Sequence, residues 1–418
     1  MSRIYSPESY GLFSVFNSIL SNLSVIAFLT YTGAFFLERD SLRFYSLVLL
    51  TMVLSVVTSI VCGIILFFFK TQVLDFFQID ALGNWIYLLP VFLLIFSLTS
   101  IFTSWLVKEK FFSKIAGVNV GSSLSGKLLS IGFGFFLFNN VYGLLLGDFV
   151  SKLVSFFSLG FSGLQKLYNK IFTKASFKNL KNVAYEYRNF PLYQLPTSYL
   201  DVIAVQAPVY VLSASFGVSN VGLYAFSTTL LDLPINLLGR SVAPVFFQKA
   251  SELVIESKEQ LQKLTTSIFY KVFYLGLIPV SIISVYGDLI FKYVFGDRWE
   301  MAGVFTAFLG YSYIFKLTVS ATSGVFALYN KQKAEFTFNI IGLVLKVSAL
   351  LLGVYLKDLK LAILFFGIAS AASSILINFM IFKVLNLPAH KIIGKAVALV
   401  ICSFLLFKGI RILIEYSF

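Results

Sequence analysis

Histidine occurs once and cysteine twice in the 418 residues. Cys62 and Cys402 lie in apolar runs far apart in sequence, so neither a disulfide framework nor a Cys/His metal cluster is in reach. Charge is scarce too: 12% of residues are Asp, Glu, Lys or Arg, about half of the roughly 25% usual in a soluble domain. There is no phosphate-cradling Walker loop, no GxSxG elbow, no HExxH pair and no DxD-like pair in a soluble region. The residue patterns of the common ATPases, hydrolases and metalloenzymes are therefore missing, and no cofactor or metal is called for.

What is abundant is apolar: 58% of the chain is hydrophobic, with 48 Phe and 22 Tyr. That composition predicts an integral membrane protein. A window of about 20 residues, enough to cross roughly 30 Å of hydrocarbon, finds twelve candidate helices. They cover approximately 8–36, 44–69, 82–106, 112–137, 141–164, 190–214, 219–247, 266–291, 301–328, 334–355, 359–382 and 392–414. The long gap is 165–189, where Lys166, Lys170, Lys174, Lys178 and Lys181 recur every three or four residues, as on the basic face of an interfacial helix.

The net charge of +14 is confined mostly to short gaps between apolar runs, so it reads as topology signal and lipid-headgroup contact, with no nucleic acid as partner. With 165–189 in the cytoplasm, the cytoplasmic gaps also collect Lys108, Lys110, Lys114, Lys331, Lys333, Lys391 and Lys395. The opposite gaps hold few, among them Arg3, Lys70, Arg298, Lys357 and Lys360. Residues 1–7 then fall outside.

An internal repeat accompanies this pattern. The segment YGLFSVFNSILSN from Tyr10 matches VGLYAFSTTLLDL from Val221 in its Gly-Leu-aromatic start and in the pairs Ile19-Leu20 and Leu230-Leu231. Parallel repeats of helical bundles are a common way to place a transport site between two halves.

The stretches SRIYSPESYGLF, YRNFPLYQLPTSYLD, GVSNVGLYAFSTTLLDLPINLLGRSVAPVFFQKASE and YVFGDRWEMAG follow one another in the order and spacing of the Wzx-type polysaccharide (O-antigen) flippases. These belong to the superfamily that includes the MATE drug exporters. The resemblance runs over nearly the whole chain. It implies an all-α, polytopic protein of a bacterial cytoplasmic (inner) membrane, with two pseudo-repeated MATE-like lobes and no enzymatic activity. The lobes are expected over 1–164 and 190–382, joined by the basic cytoplasmic linker 165–189, with an extra helix over 383–418. The implied cargo is a polyprenyl-pyrophosphate-linked oligosaccharide, an O-antigen, capsule or exopolysaccharide repeat unit, moved to the outer leaflet by alternating access. Membrane lipids, a polysaccharide polymerase and a chain-length regulator are the implied partners. Members resembling this chain carry a helix before the SPESYG loop, so a further helix ahead of Met1, lost by truncation or by a misplaced start codon, is expected.

A sugar headgroup crosses hydrocarbon only through a polar cleft, so polar and charged residues deep in apolar runs are the candidates. These are Lys127, Asp148, Lys152, Asp201, Gln206, Asp232, Asn236, Arg240, Lys316, Asn339 and Lys346. Each ionisable group at such depth costs about 2.5–3.5 kcal/mol on insertion scales, so it faces a cavity or a partner. Lys127, Arg240, Lys316 and Lys346 are assigned to an anionic substrate, and Asp148, Asp201 and Asp232 to ion coupling. Lys127 and Lys346 occupy corresponding runs of the two halves and read either as a pseudo-symmetric cation pair or as snorkelling lysines. Asp148 and Lys152, spaced i, i+4, either neutralise each other or line the cleft. Asp232 lines the cleft or serves backbone groups at the Pro234 kink. Gln206, Asn236 and Asn339 are expected to bond between helices, and Lys271, Lys408 and Arg411 to snorkel. The deep residues are more basic than acidic, which disfavours a MATE-like exporter of cations. The short outer gaps disfavour a polysaccharide polymerase.

Overall fold

In a computed structural model of the chain, the described residues are 1–136, 140–161 and 177–417, without the side chains of 177–178, 240–241 and 416–417. Lys166, Lys170 and Lys174, and the side chains of Lys178 and Arg240, lie outside the described residues.

The described residues are mostly helical, with no strand among them. The helices are α1 (Pro7–Ala27), α2 (Ser41–Phe77), α3 (Leu89–Lys108), α4 (Phe112–Phe136), α5 (Val141–Phe161), α6 (Phe177–Glu186), α7 (Leu195–Phe216), α8 (Val218–Pro234), α9 (Arg240–Glu256), α10 (Lys258–Ile290), α11 (Glu300–Thr322), α12 (Gly324–Leu328), α13 (Gln332–Tyr355), α14 (Leu359–Val384) and α15 (Ala389–Ser417). By length and composition, eleven helical stretches among the described residues are able to cross a membrane. The twelfth expected run is helical as well, but the serines and glycines of α4, together with Lys127, leave it less apolar than the others.

Local chemistry sets the ends. Ser6 caps α1, its Oγ accepting from the Ser9 amide, and Pro7 occupies the first turn, where its missing N–H costs nothing. Asp40 caps α2 through the amides of Leu42 and Arg43, and Asp358 caps α14 through those of Lys360 and Leu361. Asn330 and Asn386, both at positive φ, close turns after α12 and α14, a conformation asparagine tolerates better than most residues. Within the spans, hydroxyls such as those of Ser46, Ser55, Thr99 and Thr103 donate to carbonyls one turn back. That removes the cost of carrying polar groups into hydrocarbon.

The chain forms two compact units, Met1–Gly222 and Leu223–Phe418. This differs from the expected division at 165–189. The reason is α7, which packs on α1 in the first unit. The two run antiparallel: Phe190 and Gln194 lie against Gly33 just beyond α1, and Val218 lies against Gly11 at the other end. The core of the first unit joins Phe35, Phe44, Val48, Phe102, Trp105 and Val183. α4 and α5 meet along a stripe of small residues, Ser122, Gly126 and Ser130 against Gly147 and Ser151, the close-packing mode of membrane helices.

In the second unit Phe269, Phe273, Phe315 and Phe382 form one core with Ile392, Ile393 and Ala396 of α15. Small residues again allow close approach: Gly287 against Gly303, Gly310 against Ser284, and Gly353 against Ala362. Large side chains such as Phe67, Phe68, Leu128, Phe136 and Leu413 point outward, which suits a surface facing lipid.

Candidate functional site

In the second unit α8 carries Asp232 one turn before a discontinuity. Pro234 has no N–H to donate, and a π-helical turn, Ile235–Gly239, follows before α9 resumes. Gly239 packs on Ser320 of α11, which draws the turn against that helix. One turn before Ser320, Lys316 reaches Asp232 with Nζ 3.0 Å from Oδ1. The same ammonium sits 4.5 Å from the centre of the Tyr313 ring, a cation–π contact. Half-buried Lys346 of α13 lies within electrostatic range of Lys316. Asp232 is likewise within range of Tyr224 and Tyr313. The result is two lysines, one carboxylate and two phenols. Asp232 and Lys316 retain 37% and 50% exposure, so the pair is reachable from outside the packed helices.

Behind it, α11 is held to α14 by Asn378, which is fully buried. Its amide donates to the carbonyls of Phe315 and Ser374, and its oxygen accepts from Thr318. A buried amide with every neighbour paired specifies one register. The sequence reading passed over it, although it lies in the apolar run 359–382 as Asn236 and Asn339 lie in theirs.

In the first unit the polar groups of α1 find partners on α7. Ser18 donates to Gln206 Oε1 at 2.7 Å, and Asn22 to the Tyr210 hydroxyl at 2.5 Å. The interhelical bond expected of Gln206 is present. Asn236 and Asn339 are exposed, with no such bond among the described residues. Asp201, further along α7, is exposed and has no ion-pair partner among the described residues. Asp148 and Lys152 are a closed pair at 2.5 Å, both largely buried, with the ammonium also 5.5 Å from the Phe92 ring. Lys127 is exposed on α4, beside the small-residue stripe that meets α5.

Among the expected site residues, then, Asp232, Lys316 and Lys346 come together, while Asp148 is committed to Lys152. Arg411, expected to snorkel, is held in an ion pair. Its two terminal nitrogens grip both oxygens of Asp288 at 2.8 Å, and its Nε donates to Glu415. Only the Glu415 bond was visible as an i, i+4 spacing.

A family model described as "Polysaccharide biosynthesis protein" matches residues 1–304. A search among curated proteins finds no match. Among solved structures, the chain is similar to one described as an inward-facing conformation of a multidrug resistance MATE family transporter of the MOP superfamily. The TM-score is 0.73 and the identity 14%, with 92% of each chain covered. It is also similar to the lipid II flippase MurJ in an inward closed conformation, with TM-score 0.66, identity 16%, and 98% of this chain and 94% of that one covered. At these identities the likeness establishes the fold, that of a polytopic all-α membrane protein.

Proposed function

The chain belongs to the polysaccharide biosynthesis protein family, and from that premise we propose that it flips a lipid-linked oligosaccharide across a membrane. The cargo is a polyprenyl-pyrophosphate-linked repeat unit of O-antigen, capsule or exopolysaccharide, carried across the bacterial cytoplasmic membrane by alternating access. The family description supports a saccharide, and the lipid II flippase among the similar structures supports a lipid carrier.

The observation that carries this reading is the Asp232–Lys316–Lys346 group. Two cations and one anion leave one positive charge, half exposed, inside helices that are otherwise apolar. That arrangement suits the pyrophosphate or an acidic sugar better than a cation. Asp232 holds Lys316 in place between turnovers and yields it to the arriving anion. Lys127 and Arg240 have the same role on their own helices. Asp201, the carboxylate without an ion-pair partner among the described residues, is the proton-coupling group, and Asp148 acts only through Lys152. The membrane potential assists, favouring outward movement of an anion by about 2.3 kcal/mol per charge per 100 mV.

The test is complementation of a flippase-deficient strain, read as surface polysaccharide with membrane level measured alongside. Restored polymer with the parent chain, lost in Lys316→Ala plus Lys346→Ala at normal membrane level, supports the reading. Restored polymer in that double variant refutes the site.

A further inference from the structure

In the second unit, away from Asp232 and Lys316, α10, α11, α14 and α15 enclose a cavity of 710 Å³, within the range of small-ligand sites. Its walls are mostly apolar, with Val304, Phe308, Leu364, Ile368 and Phe404 among them, and Gly367 and Ala371 make the room. Two of its lining groups are unusual. The Ser284 hydroxyl and the Tyr311 phenol are buried without a hydrogen-bond partner, and Ser284 is 95% buried, its relative exposure being 5%. An unmet buried hydroxyl is unfavourable, so two of them in the wall of one cavity, each able to turn its O–H, suit a ligand bearing acceptors.

The cavity is polarised along the membrane normal. α15 starts at Ala389 beside the basic cytoplasmic gap, and Arg411 lies 22 residues further on, about 33 Å at 1.5 Å per residue. That is the full hydrocarbon thickness of roughly 30 Å. With the basic gap on the cytoplasmic side, as the charge distribution predicts, Arg411, Asp288 and Lys408 stand at the non-cytoplasmic interface, while Val400, eleven residues before Arg411, lies about 16 Å below it. The cavity spans one leaflet. At its head the Arg411 guanidinium is engaged by Asp288, Glu415 and the Val285 carbonyl. Lys408 is exposed and has no ion-pair partner among the described residues.

We propose that this cavity holds an anionic phospholipid of the non-cytoplasmic leaflet, with its phosphate at Lys408, its ester carbonyls at Ser284 and Tyr311, and an acyl chain against Phe308, Ile368 and Phe404. The depth of one leaflet, a free cation at the interface and hydroxyl donors below it match that molecule in order. Ser284 lies one turn from Asp288, at the depth of an ester. Tyr311 leans towards the start of its helix and so towards the same level.

The experiment melts the purified full chain in detergent with dioleoyl phosphatidylglycerol, dioleoyl phosphatidylcholine or undecaprenyl phosphate added in turn. Phosphatidylglycerol is expected to raise the melting temperature by about 2–4 °C, and phosphatidylcholine by less than half as much. Lys408→Gln, at an exposed position, and Ala371→Leu, which fills the cavity, are each expected to abolish the shift. If Ala371→Leu melts early by itself, Lys408→Gln carries the test alone. Equal shifts with the two phospholipids, a full phosphatidylglycerol shift in Lys408→Gln, or stabilisation by undecaprenyl phosphate only would overturn the proposal. The last outcome would make the cavity a seat for the carrier's tail.

Discussion

Gly11 and Gly222 meet backbone to backbone. A methyl group on Gly11 would overlap the carbonyl oxygen of Val218, and one on Gly222 would overlap that of Pro7. The contact is reciprocal: each glycine touches the residue four positions ahead of the other. These are the glycines of the two matching Gly-Leu-aromatic segments. Gly11→Ala and Gly222→Ala are each expected to cost about 1–3 kcal/mol, the usual penalty of overpacking, read as a lower melting temperature in detergent. Gly117→Ala, where a methyl group would meet open space, should melt like the parent.

Removing Lys316 should separate activity from stability. Its pair with Asp232 is half exposed, and such pairs contribute about 0–1 kcal/mol. Lys316→Ala should therefore leave melting nearly unchanged while transport falls roughly tenfold or more, since one charge-assisted contact of about 1.5–3 kcal/mol is lost. Lys316→Arg, which keeps the charge, should lose less activity than Lys316→Ala. A proteoliposome assay with a labelled lipid-linked saccharide measures both variants.

The two coupling candidates of the first unit, Asp148 and Asp201, should part company. Asp148→Asn leaves the Lys152 ammonium without its counter-charge in a largely buried place, and is expected to destabilise by roughly 1–3 kcal/mol. Asp201→Asn breaks no ion pair among the described residues and should melt normally. If Asp201 couples protons, its Asn variant binds substrate but no longer responds to an imposed pH gradient. Transport by the unaltered chain that is insensitive to a protonophore would end the proton hypothesis.

Just before the start of α2, outside the spans, buried Glu38 accepts from the Tyr187 hydroxyl at 3.1 Å and faces Arg43 at 3.3 Å, while Arg43 also pairs with Glu186. Burial, and then the bond to Glu38 and its charge, raise the Tyr187 pKa, with Arg43 opposing. The folded state thus holds this proton more tightly than the unfolded one, whose value is about 10. The contribution is fully present below about pH 10 and is lost as pH rises through the raised folded value. Tyr187→Phe should flatten that alkaline limb of the melting temperature against pH and leave the neutral region with a smaller change.

The spans were legible because length and hydropathy suffice to find a helix that crosses hydrocarbon, and the Asp148–Lys152 pair was legible because i, i+4 is a local relation. Asp232 with Lys316, 84 residues apart, and Arg411 with Asp288, 123 apart, were not. Nothing near either residue announces a partner that only tertiary packing supplies. The same holds for α7, whose apolar run predicted a helix correctly but said nothing about which unit it would join. Ser18, Asn22, Gln206 and Tyr210 carry that information, and only as a matched set.

Pro234 and the π-helical turn after it split one long run into two rods, α8 and α9. A continuous helix resists bending because each turn must break a hydrogen bond to open. Here the proline has already removed one, and the wider turn has loosened its neighbours. The joint is built as an elbow, a place one turn from Asp232 where α9 is able to change its tilt at low cost while α8 keeps its seat.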